Sequence, residues 1–228
     1  RRVLFRSSFF ENQALNRVMD RVKENQSALH LMGLVSDGGV HSQLTHLFAL
    51  IDMAVEKGLS RICIHPILDG RDTPPDSGAG YVEQLKQHIS NKPQAAVATL
   101  CGRYYAMDRD TRWDRTEKAY RLYTESEGTR ESEPVAAVKN AYSRGETDEF
   151  VEPVVLTDEA GAPRARVEDD DGIIFFNFRP DRARQITRAF TDPEFDGFAR
   201  SRRPELCDYV CMAQYDESFT LPVAFPPV

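Results

Sequence analysis

The chain has 228 residues, 41% of them hydrophobic, and a formal net charge of −7 at pH 7. That apolar content supplies a sizeable core for one large α/β domain or two small ones, while the acidic balance argues against a surface that tracks nucleic-acid phosphates. No apolar run approaches the roughly 20 residues that span a bilayer and no signal-peptide pattern opens the chain, so a soluble, cytoplasmic protein with no membrane partner is expected.

In chain order, residues 1–8 (RRVLFRSS) fit poorly with the rest of the chain and read as a linker or junction artefact. The apolar run over 29–35 predicts a strand ending in the turn Asp37-Gly38-Gly39. Leu44, Leu47, Phe48, Ile51, Ala54 and Val55 then recur at helical spacing, with Ser42 as N-cap and Gly58 as stop. RICIHPILDG predicts a second strand, followed by the loop RDTPPDSGAG and a helix carrying Val82, Leu85 and Ile89. AAVATLCG reads as a third strand and RYYAMDRD as its loop. Trp113, Ala119, Leu122 and Tyr123 mark the next helix, and a further one covers PVAAVKNAYSRG. Residues 148–171, rich in charge, proline and glycine, predict short strands and loops. GIIFFNF is a fourth strand, DRARQITRAF a helix and DYVCMAQY a last strand. The alternation predicts an α/β fold: an open, mostly parallel sheet with helices on both faces, in three layers. The four cysteines, Cys63, Cys101, Cys207 and Cys211, have neither disulfide nor zinc spacing and read as ordinary buried thiols.

Of the 29 basic residues, 23 are arginine and 6 lysine, and the arginines are placed unevenly. After the first strand comes His41, after the second Asp69-Gly70-Arg71-Asp72, after the third Arg103 and then Arg109, and after the fourth Arg179 and Arg182. In a parallel sheet these ends share one edge, where α/β proteins bind ligands. Arginine's planar fork suits phosphate or carboxylate, so the edge predicts a crevice for a small, strongly anionic ligand, helped by N–H groups at the starts of the following helices. The bland alternative is that each arginine pairs with its neighbouring acid, as Arg71-Asp72, Asp108-Arg109 and Asp181-Arg182 allow. Gly38-Gly39 is not a dinucleotide fingerprint and no phosphate-loop motif occurs, so nucleotide binding is disfavoured.

SDGGVHSQLTHL, HPILDGRDTPP, GRYYAMDRDTRWDR, AYSRGETDEFVEP and FFNFRPDRARQ, in that order over nearly the whole chain, resemble the cofactor-independent phosphoglycerate mutases. The resemblance implies that residues 9–215 are the inserted, substrate-binding domain of such an enzyme and that 216–228 form a hinge toward a phosphatase-like domain of the same full-length chain. That other domain would carry the nucleophilic serine and two manganese ions, so this piece alone is expected to be inactive and to bind no metal itself. The resemblance further implies a monomer interconverting 3-phosphoglycerate and 2-phosphoglycerate in glycolysis. His41, Arg71, Asp72, Arg103, Arg109, Arg179 and Arg182 match the family's phosphoglycerate-binding set, with Asp72 the candidate for exchanging a hydroxyl proton. A free-standing binding module for a small phosphorylated or carboxylated anion is the competing reading. Recruitment of nucleic acid through Tyr104, Tyr105 and Trp113 is disfavoured by the acidic total, which leaves those aromatics as core and crevice-wall residues.

Overall fold

The computed structural model describes residues 8–228, so the expected junction at 1–8 lies, except for Ser8, outside the described residues. The strands are β1 (Leu29–Leu34), β2 (Ile62–Leu68), β3 (Ala95–Val97), β4 (Thr99–Gly102), β5 (Thr129–Glu131), β6 (Val154–Leu156), β7 (Gly172–Phe175) and β8 (Asp208–Cys211). The helices are α1 (Gln13–Asn25), α2 (Leu44–Glu56), α3 (Gly78–His88), α4 (Arg103–Ala106), α5 (Trp113–Glu125), α6 (Pro134–Ser143) and α7 (Arg184–Thr191). One sheet runs in the order β5-β6-β4-β2-β1-β7-β8, with β3 also paired to β2. Every described pairing is parallel except β4 with β6. Every residue of β1, β2 and β7 is buried, and their runs are largely apolar, as strands covered by helices on both faces require.

The side chains divide the core into two layers. Leu31, Ile64 and Ile174 face α1, α2, α3 and α6 through Val18, Leu47, Ile51, Leu85 and Val138. Met32, Ile67, Ile173 and Phe175 face α5 and α7 through Tyr120, Tyr123, Ile186 and Phe190. This is the predicted three-layer arrangement.

Several local features depart from the sequence pattern. Helix α1 precedes the first predicted strand. Leu15, Val18, Met19 and Val22 lie buried along one face, and the Asn12 side chain accepts from the Leu15 N–H at the start. The third predicted strand is broken at Ala98, whose N–H turns to the Ile64 carbonyl; β3 and β4 then pair β2 separately. The loop expected over RYYAMDRD begins instead with the single helical turn α4. Ser42 is not the N-cap of α2: Gln43 occupies that position without a side-chain bond, and Ser42 Oγ donates to the Leu34 carbonyl at 2.5 Å. The expected stop at Gly58 holds, with φ +81 just past the last turn. Residues 222–225 pair alongside β8 and Met212, with Cys211 N–H donating to Pro222 O and Ala224 N–H to Cys211 O.

A polar string crosses the sheet low on the strands. Asp171 accepts from the Ala28 and Glu168 amides and, at Oδ2, from His30 Nε2 at 2.8 Å. His30 Nδ1 lies 2.8 Å from His65 Nε2, and His65 Nδ1 lies 2.9 Å from Thr99 Oγ1. Burial and the neighbouring His30 push the His65 pKa well down. Each ring nitrogen of the two histidines thus has a partner, and no buried atom in the string lacks one.

Gly102, the last residue of β4, marks the closest approach between the strand ends and the 148–151 turn. A Cβ there would lie 2.1 Å from the Glu149 carbonyl oxygen, which backbone must move to relieve. Gly102→Ala should therefore lower stability by about 3 kcal/mol. Gly80→Ala in α3, where a Cβ meets nothing within 4 Å, should leave it unchanged or raise it by up to about 1 kcal/mol. Urea midpoints of the two variants check both outcomes.

Candidate functional site

The parallel strands deliver their C-terminal ends to one edge, and the loops there carry the chemistry. Arg103 opens α4 directly after β4, and its side chain is only 3% exposed. One guanidinium nitrogen, Nη1, donates to Asp69 Oδ1 at 2.9 Å and to Asp72 Oδ2 at 2.8 Å. The other, Nη2, donates to His41 Nε2 at 3.1 Å. A guanidinium has no lone pair to offer, so His41 must be the acceptor at Nε2 and carry its proton on Nδ1. That Nδ1 is buried without a hydrogen-bond partner. Burial first, and then the charge of Arg103, push the His41 pKa down to about 4. His41 is thus a neutral imidazole presenting an unused N–H.

Asp69 is the most heavily hydrogen-bonded carboxylate of the edge. It accepts from Ser36 Oγ, the Arg71 and Asp72 amides and Arg103. These bonds, led by the Asp72 amide, outweigh the burial that acts against them and hold its pKa below the usual range. Further out, Asp181 bridges two arginines: Arg109 Nη1 at 2.8 Å from Oδ2 and Arg179 Nε at 3.1 Å from Oδ1. Arg182 Nη1 donates to the Met107 carbonyl. Burial, then repulsion from Arg103, Arg109 and Arg71, lower the Arg182 pKa, so those three guanidiniums act on the fourth. Arg71 is more than half exposed and faces Glu149 at 3.7 Å.

The pairings between sequence neighbours do not form. Asp72 binds Arg103 rather than Arg71, Asp181 binds Arg109 and Arg179 rather than Arg182, and Asp108 lies against Arg112 and Arg115. Asp108 also accepts from the Arg112 amide and Gln185 Nε2, while Gln185 Oε1 accepts from Thr111 N–H; together these fix the loop that carries Arg109. On the β7 side, Phe178 N–H donates to the His41 carbonyl and Asn177 Oδ1 accepts from Leu34 N–H, which ties the arginine loop to the end of β1. The expected contribution from the N-terminus of α3 is not available, because Asp148 Oδ2 takes the Gly78 N–H at 2.7 Å. Tyr104, with Arg115 stacked 3.7 Å over its ring, lines the wall beside the half-exposed Phe150. Trp113 packs instead on Phe195 and Phe198.

Asp69, Ser36 and Asp181 are absent from the residues selected by sequence. Asp69 and Asp181 could have been found, since both stand at strand ends among the arginines. Ser36 gives no signal beyond its position. Among the described residues, no group of three or more His, Cys, Asp or Glu is placed to hold a metal ion, and no helix is long and apolar enough to cross a membrane.

Residues 2–217 match the family model described as the N-terminus of BPG-independent PGAM. A 2,3-bisphosphoglycerate-independent phosphoglycerate mutase of Syntrophotalea carbinolica is 55% identical over 220 residues, covering 96% of this chain and 42% of that protein. The enzyme of the same name from Moorella thermoacetica is 54% identical, covering 96% of this chain and 43% of its own length. A crystal structure of Leishmania mexicana phosphoglycerate mutase superposes with a TM-score of 0.91 at 31% identity, over 97% of this chain and 42% of that one. The chain therefore spans less than half the length of these relatives.

A histidine held neutral makes stability depend on pH in a defined direction. His41 and His46 both have pKa values lowered to about 4, chiefly by burial, against 6.5 when unfolded. Between those values the unfolded chain binds protons that the folded chain refuses, so stability falls as pH drops from 6.5 toward 4. Each histidine contributes a slope of up to about 1.4 kcal/mol per pH unit. Urea midpoints recorded from pH 7 to pH 4.5 should decline, and the decline should be shallower in His41→Gln.

Proposed function

This chain belongs to the BPG-independent phosphoglycerate mutases, as their N-terminal part, and on that premise we propose that its strand-end crevice holds the phosphoglycerate such an enzyme interconverts. The observation that carries the reading is the excess of guanidinium. Arg71, Arg103, Arg109, Arg179 and Arg182 are faced by Asp69, Asp72, Asp181 and Glu149. With His41 neutral, these five guanidiniums outnumber by one the four carboxylates that face them, inside a protein of net charge −7. Such a focus of positive charge favours a small anion, and a phosphoglycerate offers both a phosphate and a carboxylate for the arginine forks.

In the proposed cycle a serine outside this chain takes the phosphoryl group from 3-phosphoglycerate and leaves glycerate in the crevice. The outer arginines, Arg71, Arg109, Arg179 and Arg182, hold its carboxylate and the phosphoryl oxygens while it turns, so that the second hydroxyl meets the phosphoserine. Asp72 is fixed through Oδ2 on Arg103 and exchanges the hydroxyl proton through its other oxygen. His41, accepting from Arg103 Nη2 through Nε2, orients the inner guanidinium toward the ligand. The phosphoryl group then returns to the 2-hydroxyl, giving 2-phosphoglycerate. Among the described residues, no group of three or more His, Cys, Asp or Glu is placed as a manganese site would need. In this reading manganese, which supplies Lewis-acid stabilisation of phosphoryl charge when bound, belongs to a phosphatase-like part of the longer protein, and the steps assigned here use this chain's own side chains. As a glycolytic isomerase the protein would act in the cytoplasm as a monomer.

The test uses the full-length protein. In Asp72→Asn, kcat should fall by about 100-fold or more, the scale of a lost general acid–base group, with KM within threefold. In Arg179→Ala, which removes a binding contact, KM for 3-phosphoglycerate should rise by about tenfold, as loss of one charge-assisted bond of about 1.4 kcal/mol requires. Near-normal turnover in Asp72→Asn would sink the proton-exchange role. An unchanged KM in Arg179→Ala, Arg109→Ala and Arg182→Ala together would sink the crevice as the substrate site.

A further inference from the structure

Asp69 has no part in the roles above, yet its bonds reach three strand ends at once. From the β1 side Ser36 Oγ donates to Oδ2 at 2.7 Å, and the same hydroxyl accepts from the Gly38 N–H at 3.4 Å. From its own loop the Arg71 and Asp72 amides donate to Oδ1 at 3.1 and 3.0 Å. From the β4 side comes Arg103 Nη1, at 2.9 Å. The Asp69 side chain is 1% exposed, so solvent and ligand meet its partners rather than the carboxylate itself.

We propose that Asp69 is the positioning residue of the crevice, fixing the direction in which the Arg103 guanidinium faces and the spacing between Arg103 and Asp72. Arg103 has two carboxylates on one nitrogen, and they pull from different places. Asp69 anchors the guanidinium to the floor of the edge, and Asp72 holds it toward the crevice. Without the floor contact, Arg103 is left on Asp72 and His41 and can follow Asp72 outward. The same carboxylate draws the 69–72 turn closed through its two amide bonds, so the position of Asp72 is set by the group that sets Arg103. The kinetic part of the inference rests on the phosphoglycerate reading; the structural part does not.

Asp69→Asn separates charge from shape. Asparagine Oδ1 can still accept from both amides, and the Ser36 hydroxyl can rotate to accept from Nδ2. What is lost is the negative charge beneath Arg103. The crevice then becomes more positive, which favours anions, while its geometry loosens. The two effects oppose each other in steady-state kinetics. In the full-length enzyme, kcat is expected to fall at least tenfold at an unchanged folded fraction, with KM for 3-phosphoglycerate unchanged or lower. A purely structural role would instead lower kcat only in proportion to the folded fraction.

A second readout is independent of substrate. In ¹⁵N-labelled full-length protein the Arg103 guanidinium signals, identified by their loss in Arg103→Lys, should show separate, slowly rotating Nη groups in wild type and merge in Asp69→Asn. Turnover within twofold of wild type, or Arg103 signals unaltered by Asp69→Asn, would overturn the proposal. Should Asp69→Asn not fold, Ser36→Ala decides: it keeps the charge and removes one strap, and is expected to lower kcat about threefold and broaden the Arg103 signals. No change in either would overturn the proposal equally. If wild-type enzyme fails to interconvert phosphoglycerates, the functional reading falls, and the Arg103 signals alone judge Asp69.

Discussion

The contact on which the edge of the sheet depends is the enclosure of the Arg103 guanidinium between two carboxylates and a neutral imidazole. A guanidinium almost entirely out of water is sustained only by partners on most of its N–H groups, and removing one partner of such a buried pair is costly. Meeting that requirement needs four residues from three places in the chain: His41 after β1, Asp69 and Asp72 after β2, and Arg103 after β4. Only parallel strands covered on both faces bring those loops to one edge. The close approach at Gly102 stems from the same demand, since α4 must start hard against the 148–151 turn for Arg103 to face inward.

From this centre outward the arginines become easier to move. Arg103 is locked, whereas Arg109 and Arg179 share the partly exposed Asp181 and Arg71 meets only Glu149 at longer range. Exposed pairs of this kind are worth at most about 1 kcal/mol, so an anion can displace their carboxylates at little cost. The inner guanidinium keeps its geometry while the outer ones change partners. This division makes one edge rigid at its centre and adaptable at its rim.

Much of this was legible in the sequence, for physical reasons. Strands β1, β2 and β7 announced themselves because burial on both faces keeps them largely apolar, with His30 and His65 the polar exceptions, and the arginines stood out because they come shortly after such strands. The pattern also indicated the two-sided helical cover, through Leu47, Ile51 and Tyr123 and the segment DRARQITRAF. It did not disclose the partners. Asp72 and Arg103 are separated by 31 positions and Arg109 and Asp181 by 72, and neighbouring acids offered equally good bonds on paper. Three-dimensional convergence chose between them. Strand β5 escaped because Thr129, Arg130 and Glu131 carry no apolar alternation and sit at the sheet margin. The break at Ala98 escaped because it alters hydrogen bonding without altering hydropathy. Helix α1 did carry a pattern, in Leu15, Val18, Met19 and Val22.

The string from Thr99 through His65 and His30 to Asp171 lies at the other end of the same strands and has a different kind of consequence. Each member is a hydrogen-bond partner of the next, so no single replacement by an apolar residue leaves its neighbour content. Changing His65 alone strands an imidazole nitrogen and a hydroxyl inside the sheet; changing Asp171 alone strands His30 and two backbone amides. Viable descendants of this sequence are therefore confined to those that keep all four residues or exchange them as a set. The string is a unit of inheritance spread over four separate stretches of chain, and its members should covary in related proteins even though none of them lies at the strand-end crevice.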